Sequence, residues 1–167
     1  SLTREPGGDQ GAEKIRKLIL TGKRDKFDSF TDTLLYLASR NENFKKNIYP
    51  DLQKKKIVIC DRFIDATIAY QVYGLDVDRK TIDIAHKIIL GKTHPDFTFF
   101  LIINVNKSLK RVKKRKNINR YDKFEKNFYK KVQKGYNLIS KTKKKNSLVL
   151  NTSHDTKYIA VSYTHLR

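Results

Sequence analysis

The chain has 167 residues, 38% of them hydrophobic and 11% aromatic, which is the length of one domain with enough apolar side chains for a core. Its formal charge is +20, and the excess is local: residues 107–145 hold 17 Lys and Arg against Asp122 and Glu125. No apolar run reaches the roughly 18 residues a membrane helix needs, and "SLTREPGG" lacks the basic and apolar regions of a signal peptide.

In chain order, a short strand end at 1–3 leads through "REPGGDQ" into a helix over 12–20, with Ile15, Leu18 and Ile19 on one face. Asp28 and Ser29 offer an N-cap for a second helix carrying Phe30, Leu34, Tyr36, Leu37 and Ala38. A further helical piece holds Phe44, Ile48 and Leu52, and Pro50 is expected to kink it. The apolar run 57–60 reads as a strand buried on both faces, as inside a parallel sheet. Helices are expected over 65–73 and 79–90, then a second buried strand in "PDFTFFLIINV". Helices over 108–116 and 122–143, a turn at "KTKKK", a strand at 148–150 and a last weak helix complete the pattern. Strands alternating with helices predict an α/β fold, a parallel sheet with helices on both faces. Residues 1–160 form one domain; the tail 161–167 breaks the amphipathic period and is given no function.

The strand over 57–60 ends on Asp61-Arg62, where open α/β sheets place their ligands. At this point two readings stand, a ligand site or a solvated ion pair. Cys60, the only cysteine, excludes an internal disulfide and suits a reducing cytoplasm; its expected role is a small apolar residue at a strand end. The four histidines show no metal-ligand spacing, and His86 and His94 are expected at the surface or behind a site.

Four stretches, "TREPGG", "LLYLASR", "DRFIDATIAYQ" and "RKNINRYDKFEKNFYKKVQKGY", stand in an order and spacing that resembles bacterial thymidylate kinase, over residues 2 to about 157. The resemblance implies a P-loop nucleoside-monophosphate-kinase fold that transfers the ATP γ-phosphate to dTMP with Mg²⁺, in a cytoplasmic homodimer. No G-x-x-x-x-G-K-[ST] occurs, so the chain is expected to open just downstream of that loop, without the first strand, phosphate loop and first helix, and to be inactive alone. By the same resemblance Arg4, Arg40 and Arg62 surround the dTMP phosphate, and Glu5 lies near the acceptor sugar and magnesium. Asp61 holds Mg²⁺ directly or through water, while Arg62 bridges donor and acceptor. Tyr36 stacks on the base; Thr67, Tyr70 and Gln71 read base and sugar. Residues 107–122 match a lid over ATP, with Arg111, Lys113, Arg115 and Arg120 facing the nucleotide and Arg115 and Arg120 catalytic. Asp9, Ala66 and Val72 depart from the family's usual threonine, serine and glycine.

A basic nucleic-acid-binding domain is the rival from another class, and a kinase for another nucleoside or nucleotide a third. The rival needs exposed aromatics among the basic residues. Instead Phe124, Phe128, Val132 and Tyr136 recur every four residues, a core-facing stripe, so no specific nucleic acid is expected.

Overall fold

The computed structural model describes residues 1–153. The expected last helix and the tail 161–167 lie outside them. Short strands alternate with helices: β1 (Leu2–Arg4), α1 (Gln10–Leu20), α2 (Ser29–Asn43), α3 (Tyr49–Gln53), β2 (Ile59–Asp61), α4 (Ile64–Thr67), α5 (Arg79–Leu90), β3 (Thr98–Ile102), α6 (Val105–Lys113), α7 (Lys126–Thr142) and β4 (Ser147–Asn151).

Side-chain acceptors start the helices. Asp9 accepts from the Ala12 amide at 2.8 Å to open α1, Asp28 from Phe30 and Thr31 to open α2, and Asp78 from Thr81 to open α5. Asp9 is thus an N-cap. The expected kink at Pro50 takes another form. The chain widens into π-helical turns over Phe44–Ile48, and Pro50 then sits in the first turn of α3. Lacking an N–H for the carbonyl four residues back, proline is tolerated only where that bond is already absent. A second π-helical stretch, Ile68–Gly74, carries Tyr70 and Gln71. The basic helix starts at Val105 rather than 108, capped by Asn104, and a 3₁₀ turn, Tyr121–Lys123, precedes α7.

β1 and β2 pair in parallel from Leu2↔Ile59 to Arg4↔Asp61, and β3 and β4 from Thr98↔Ser147 to Ile102↔Asn151. The single sheet expected from the sequence is two ladders among the described residues. The expected double burial of 57–60 also fails: Ile57 is 82% exposed, and the strand begins only at Ile59. β3 alternates instead, with Phe100 at 2% exposure between Phe99 at 60% and Leu101 at 65%. The cause is a cavity of about 970 Å³ lined by 57–62 from the β2 side and 98–103 from the β3 side. Among the described residues neither inner edge is paired across it. The core lies beyond, around Ile19, Phe44, Ile68, Ile82, Phe128 and Val132. Phe124 and Tyr136 pack against that core, so the stripe on α7 faces inward and offers no stacking surface.

Candidate active site

The β1–β2 ladder builds the site. Its register sets Arg4 beside Asp61, and the Glu5 amide donates to the Asp61 carbonyl at 2.9 Å. The charged residues after both strands therefore leave the sheet side by side. Gly7 and Gly8 turn the chain away with φ of 120° and 105°. A Cβ on Gly8 would collide with Asn43 and Thr3, so glycine is required by space as well as by dihedral.

Arg40, from the last turn of α2, enters this corner buried at 2% exposure. Its Nε donates to Glu5 Oε2 at 2.7 Å and its second terminal nitrogen lies 2.6 Å from the same oxygen. The guanidinium lies 5.2 Å from the centre of the Phe63 ring. Glu5 Oε1 is buried with no hydrogen-bond partner among the described residues. Asp61 and Arg62 do not pair with each other, so the solvated ion-pair reading is set aside among the described residues. Arg62 adopts φ of 66°, a left-handed conformation that a side chain rarely takes, and lies 5.6 Å from the Tyr70 ring centre. Arg4 is exposed, as Arg62 is, and donates from two nitrogens to Glu13 Oε1, at 3.1 and 3.0 Å.

Arg16 belongs to this group although sequence reasoning passed over it. It donates to the Pro6 carbonyl at 2.6 Å. Burial first, then the nearby charge of Arg4, and also that of Arg62, lower its guanidinium below the ordinary value. Its signal was its place on the helix that directly follows the strand tip.

A second network lies behind. Tyr36 meets Tyr121 edge-on at 5.8 Å, and Tyr70 meets Tyr121, Phe128 and Tyr136 at 6.0, 5.9 and 6.3 Å. Burial pushes the phenols of Tyr36, Tyr121 and Tyr136 upward, so all stay protonated. Gln71 Nε2 donates to Tyr121 Oη at 3.3 Å, and Tyr121 Oη donates to Asp32 Oδ2 at 2.6 Å. Thr67 is buried beside them.

Arg120 needs correction. The resemblance placed it with Arg111 and Arg115 as a catalytic lid arginine, but it is 1% exposed and pairs with Asp32. It also donates to the carbonyls of Ile19 at 2.8 Å and Arg24 at 3.2 Å. Three of its five N–H groups are thus used inside the protein, and it stands apart from the exposed Arg111 and Arg115. Asp32 was missed too, though an acid four residues before Tyr36 and eight before Arg40 shares their helix face. Arg115 stays exposed, 3.3 Å from Asp122. Arg111 donates to the Thr152 carbonyl at 2.9 Å, and Lys113 is exposed.

His86 takes the second of the two places expected for it, buried behind the strand-tip corner rather than at the surface. It is buried, with Nε2 2.5 Å from a terminal nitrogen of Arg40, whereas His94 is exposed. Burial and then the Arg40 charge lower its pKa from 6.5 to about 3. Between these values the unfolded chain binds a proton at His86 that the folded chain does not. Its contribution to stability is therefore whole above pH 6.5, declines as pH falls through that window, and changes no further below about pH 3. Urea unfolding across this range checks the sign: the His86→Asn protein should lose less stability on acidification than the parent.

Charged groups converging beyond the carboxyl ends of parallel strands, on a chain of alternating strands and helices, define an α/β fold with a ligand-type site at its strand tips. The crystal structure of thymidylate kinase from Ehrlichia chaffeensis matches it with a TM-score of 0.76 at 32% identity, over 98% of this chain and 78% of that one. The thymidylate kinase family profile matches residues 1–161, and the chain belongs to that family. A thymidylate kinase of Wolbachia pipientis wMel is 48% identical over 139 residues, covering 83% of this chain and 67% of its own length. One of Ehrlichia chaffeensis is 39% identical over 166 residues, covering 99% and 79%. The chain spans 64% of the length of a second Wolbachia relative, from Brugia malayi.

Proposed function

We propose that the protein is a thymidylate kinase, transferring the γ-phosphate of ATP to dTMP to give dTDP and ADP. The observation that carries this reading is the meeting of Arg4, Glu5, Asp61 and Arg62 at two ladder-mated strand tips, with Arg40 brought against Glu5. Guanidinium groups suit a phosphate monoester because their planar fork donates two parallel hydrogen bonds.

The attacking group is an oxygen of the dTMP phosphate, already anionic at neutral pH, so no side chain has to remove a proton. It forms a bond to the γ-phosphorus as the bond to the β-phosphate oxygen breaks, and ADP departs with that electron pair. The protein positions the two nucleotides in line and neutralises charge. Arg40 and Arg4 hold the acceptor phosphate, Arg16 adds positive potential, and Arg62 spans acceptor and transferred group. Tyr36 and Tyr70 flank the base, with Thr67 and Gln71 reading its edge. Arg115, and with it Arg111 and Lys113, serves the donor side. The unpartnered Glu5 Oε1 and the carboxylate of Asp61 are hard oxygen donors of the kind Mg²⁺ takes, and it keeps several waters in such sites. Bound there, the ion would offset charge on the phosphates. Among the described residues no three His, Cys, Asp or Glu gather into a metal cage.

Two finer features belong to the same reading. A fifth parallel strand lies between β2 and β3, supported by the apolar cavity and by the two unpaired inner edges that line it. Two copies associate through α2 and α5, supported by exposed Phe30 and Leu34 on one and Ile84 and Ile88 on the other. The enzyme works in the cytoplasm, and no described helix is long and apolar enough to cross a membrane.

The test is ADP release from ATP by the purified protein. Release should depend on dTMP and exceed that with dUMP, dCMP or thymidine. Release independent of any monophosphate, or steeply salt-dependent oligonucleotide binding indifferent to dTMP, would remove the assignment.

A further inference from the structure

Arg4 ends β1, and its side chain is 54% exposed. A long exposed arginine ordinarily samples many rotamers and gives up that freedom when a ligand fixes it. Glu13, in the first turn of α1, holds it beforehand. Glu13 Oε1 accepts from Arg4 Nε at 3.1 Å, from Arg4 Nη2 at 3.0 Å and from the Gly8 amide at 3.0 Å. A guanidinium carries five N–H groups in one plane. Two of them meet Glu13 along one edge. Among the described residues the edge between the two terminal nitrogens keeps one N–H on each, the spacing that matches two oxygens of one phosphate.

The carboxylate is itself fixed against the turn that follows β1. A Cβ on Gly7 would collide with it, and Arg16, three residues further along α1, donates to the Pro6 carbonyl at 2.6 Å. Helix α1 thus grips residues 4–8 through Arg4, Pro6 and Gly8. Charge points the same way. Burial first, then Arg4, weigh against the Arg16 cation; Glu13 supports it, and Arg62 opposes it. Three guanidinium groups therefore crowd one corner, and Glu13 is the carboxylate set among them. Burial opposes its own charge, but the Gly8 amide and Arg4 outweigh that and hold it below the ordinary glutamate value. An ion pair as exposed as this adds little to folding, so its effect falls on the aim of Arg4.

We infer that Glu13 is a positioning residue for the acceptor phosphate, one carboxylate oxygen locking Arg4 against the Gly8 turn so that its terminal edge faces the monoester of dTMP. The inference rests on the reading of the strand tips as the dTMP site. Glutamine at 13 keeps an acceptor oxygen at the same reach, whereas leucine fills the space and accepts nothing.

Calorimetric binding of dTMP and of thymidine to the purified protein separates the possibilities. Glu13→Leu should weaken dTMP by about ten- to a hundredfold, the range for a hydrogen bond to a charged group, and leave thymidine within about threefold. Glu13→Gln should restore most of the dTMP affinity. In turnover, the KM for dTMP should rise in the leucine variant while that for ATP holds. In an Arg4→Met background, adding Glu13→Leu should change dTMP affinity by less than about threefold, because the two residues act as one unit. Equal dTMP affinity in the leucine variant, a parallel loss for dTMP and thymidine, or fully additive losses at 4 and 13 would overturn the inference while sparing the acceptor reading. Failure of the parent protein to bind dTMP would overturn both. A crystal structure of the parent with dTMP decides even where the leucine variant does not fold. Arg4 should keep both contacts to Glu13 while its terminal nitrogens meet the phosphate; an Arg4 that leaves Glu13, or turns from the phosphate, refutes the inference.

Discussion

Replacing Arg62 by alanine in the intact enzyme should lower turnover with dTMP and ATP by at least about a hundredfold, the scale of losing one preorganised charge donor. The geometry gives the reason. Arg62 follows β2 directly, next to Asp61 and level with Glu5 after β1, where the proposed transfer would move charge between the two nucleotides. Arg62→Lys should recover little, because a point charge lacks the planar fork. Its φ of 66° makes the argument sharper. A left-handed conformation costs a residue with a side chain about 1–2 kcal/mol, which glycine avoids. Arg62→Gly should thus be as inactive as the alanine variant yet more stable than it. Turnover that survives Arg62→Ala, with only the melting temperature changed, would make Arg62 part of the scaffold.

Asp32→Ala should cost about 3–5 kcal/mol of folding stability, the usual penalty for breaking a buried ion pair from one side. It strands the Arg120 guanidinium in the interior and removes the acceptor of the Tyr121 hydroxyl. Replacing both partners by apolar residues, Asp32→Leu with Arg120→Met, should cost clearly less than the two single changes added together. Denaturant unfolding of the four proteins measures this coupling. A loss below about 1 kcal/mol for Asp32→Ala would mean that water reaches the pair, as at exposed ion pairs. Because Tyr121 also touches Tyr36 and Gln71, the same change should disturb the base-reading side before the phosphate side.

The fold was legible where local signals are strong. Asp28 capped its helix as expected, and α5 runs over Arg79–Leu90 as its period predicted. The stripe on α7 faced the core. Strand limits shifted, since a strand's extent depends on which edges find partners and no local pattern records that. Ile57 reads as a core residue by its neighbours in sequence, yet no described strand covers it.

The site divides in the same way. The residue types were written in the chain: "TREPGG", "LLYLASR" and "DRFIDATIAYQ" announce arginines, acids and aromatics near strand and helix ends. Their partners were not. Arg115 and Arg120 look alike in sequence, but one is exposed and the other is sealed against Asp32 from 88 residues away. His86 had no carboxylate nearby in sequence and gained Arg40 from 46 residues away.

By itself the sequence determined the alternation of strands and helices, the charge at the strand tips and the family to which these motifs are similar. These follow from periodicity, capping and short motifs, which act over a few neighbouring residues. Only the tertiary structure decided which arginines gather at the strand tips, which one is sealed against Asp32, and which histidine meets Arg40. Burial and ion pairing depend on what other segments bring into contact, and the chain order does not contain those distances.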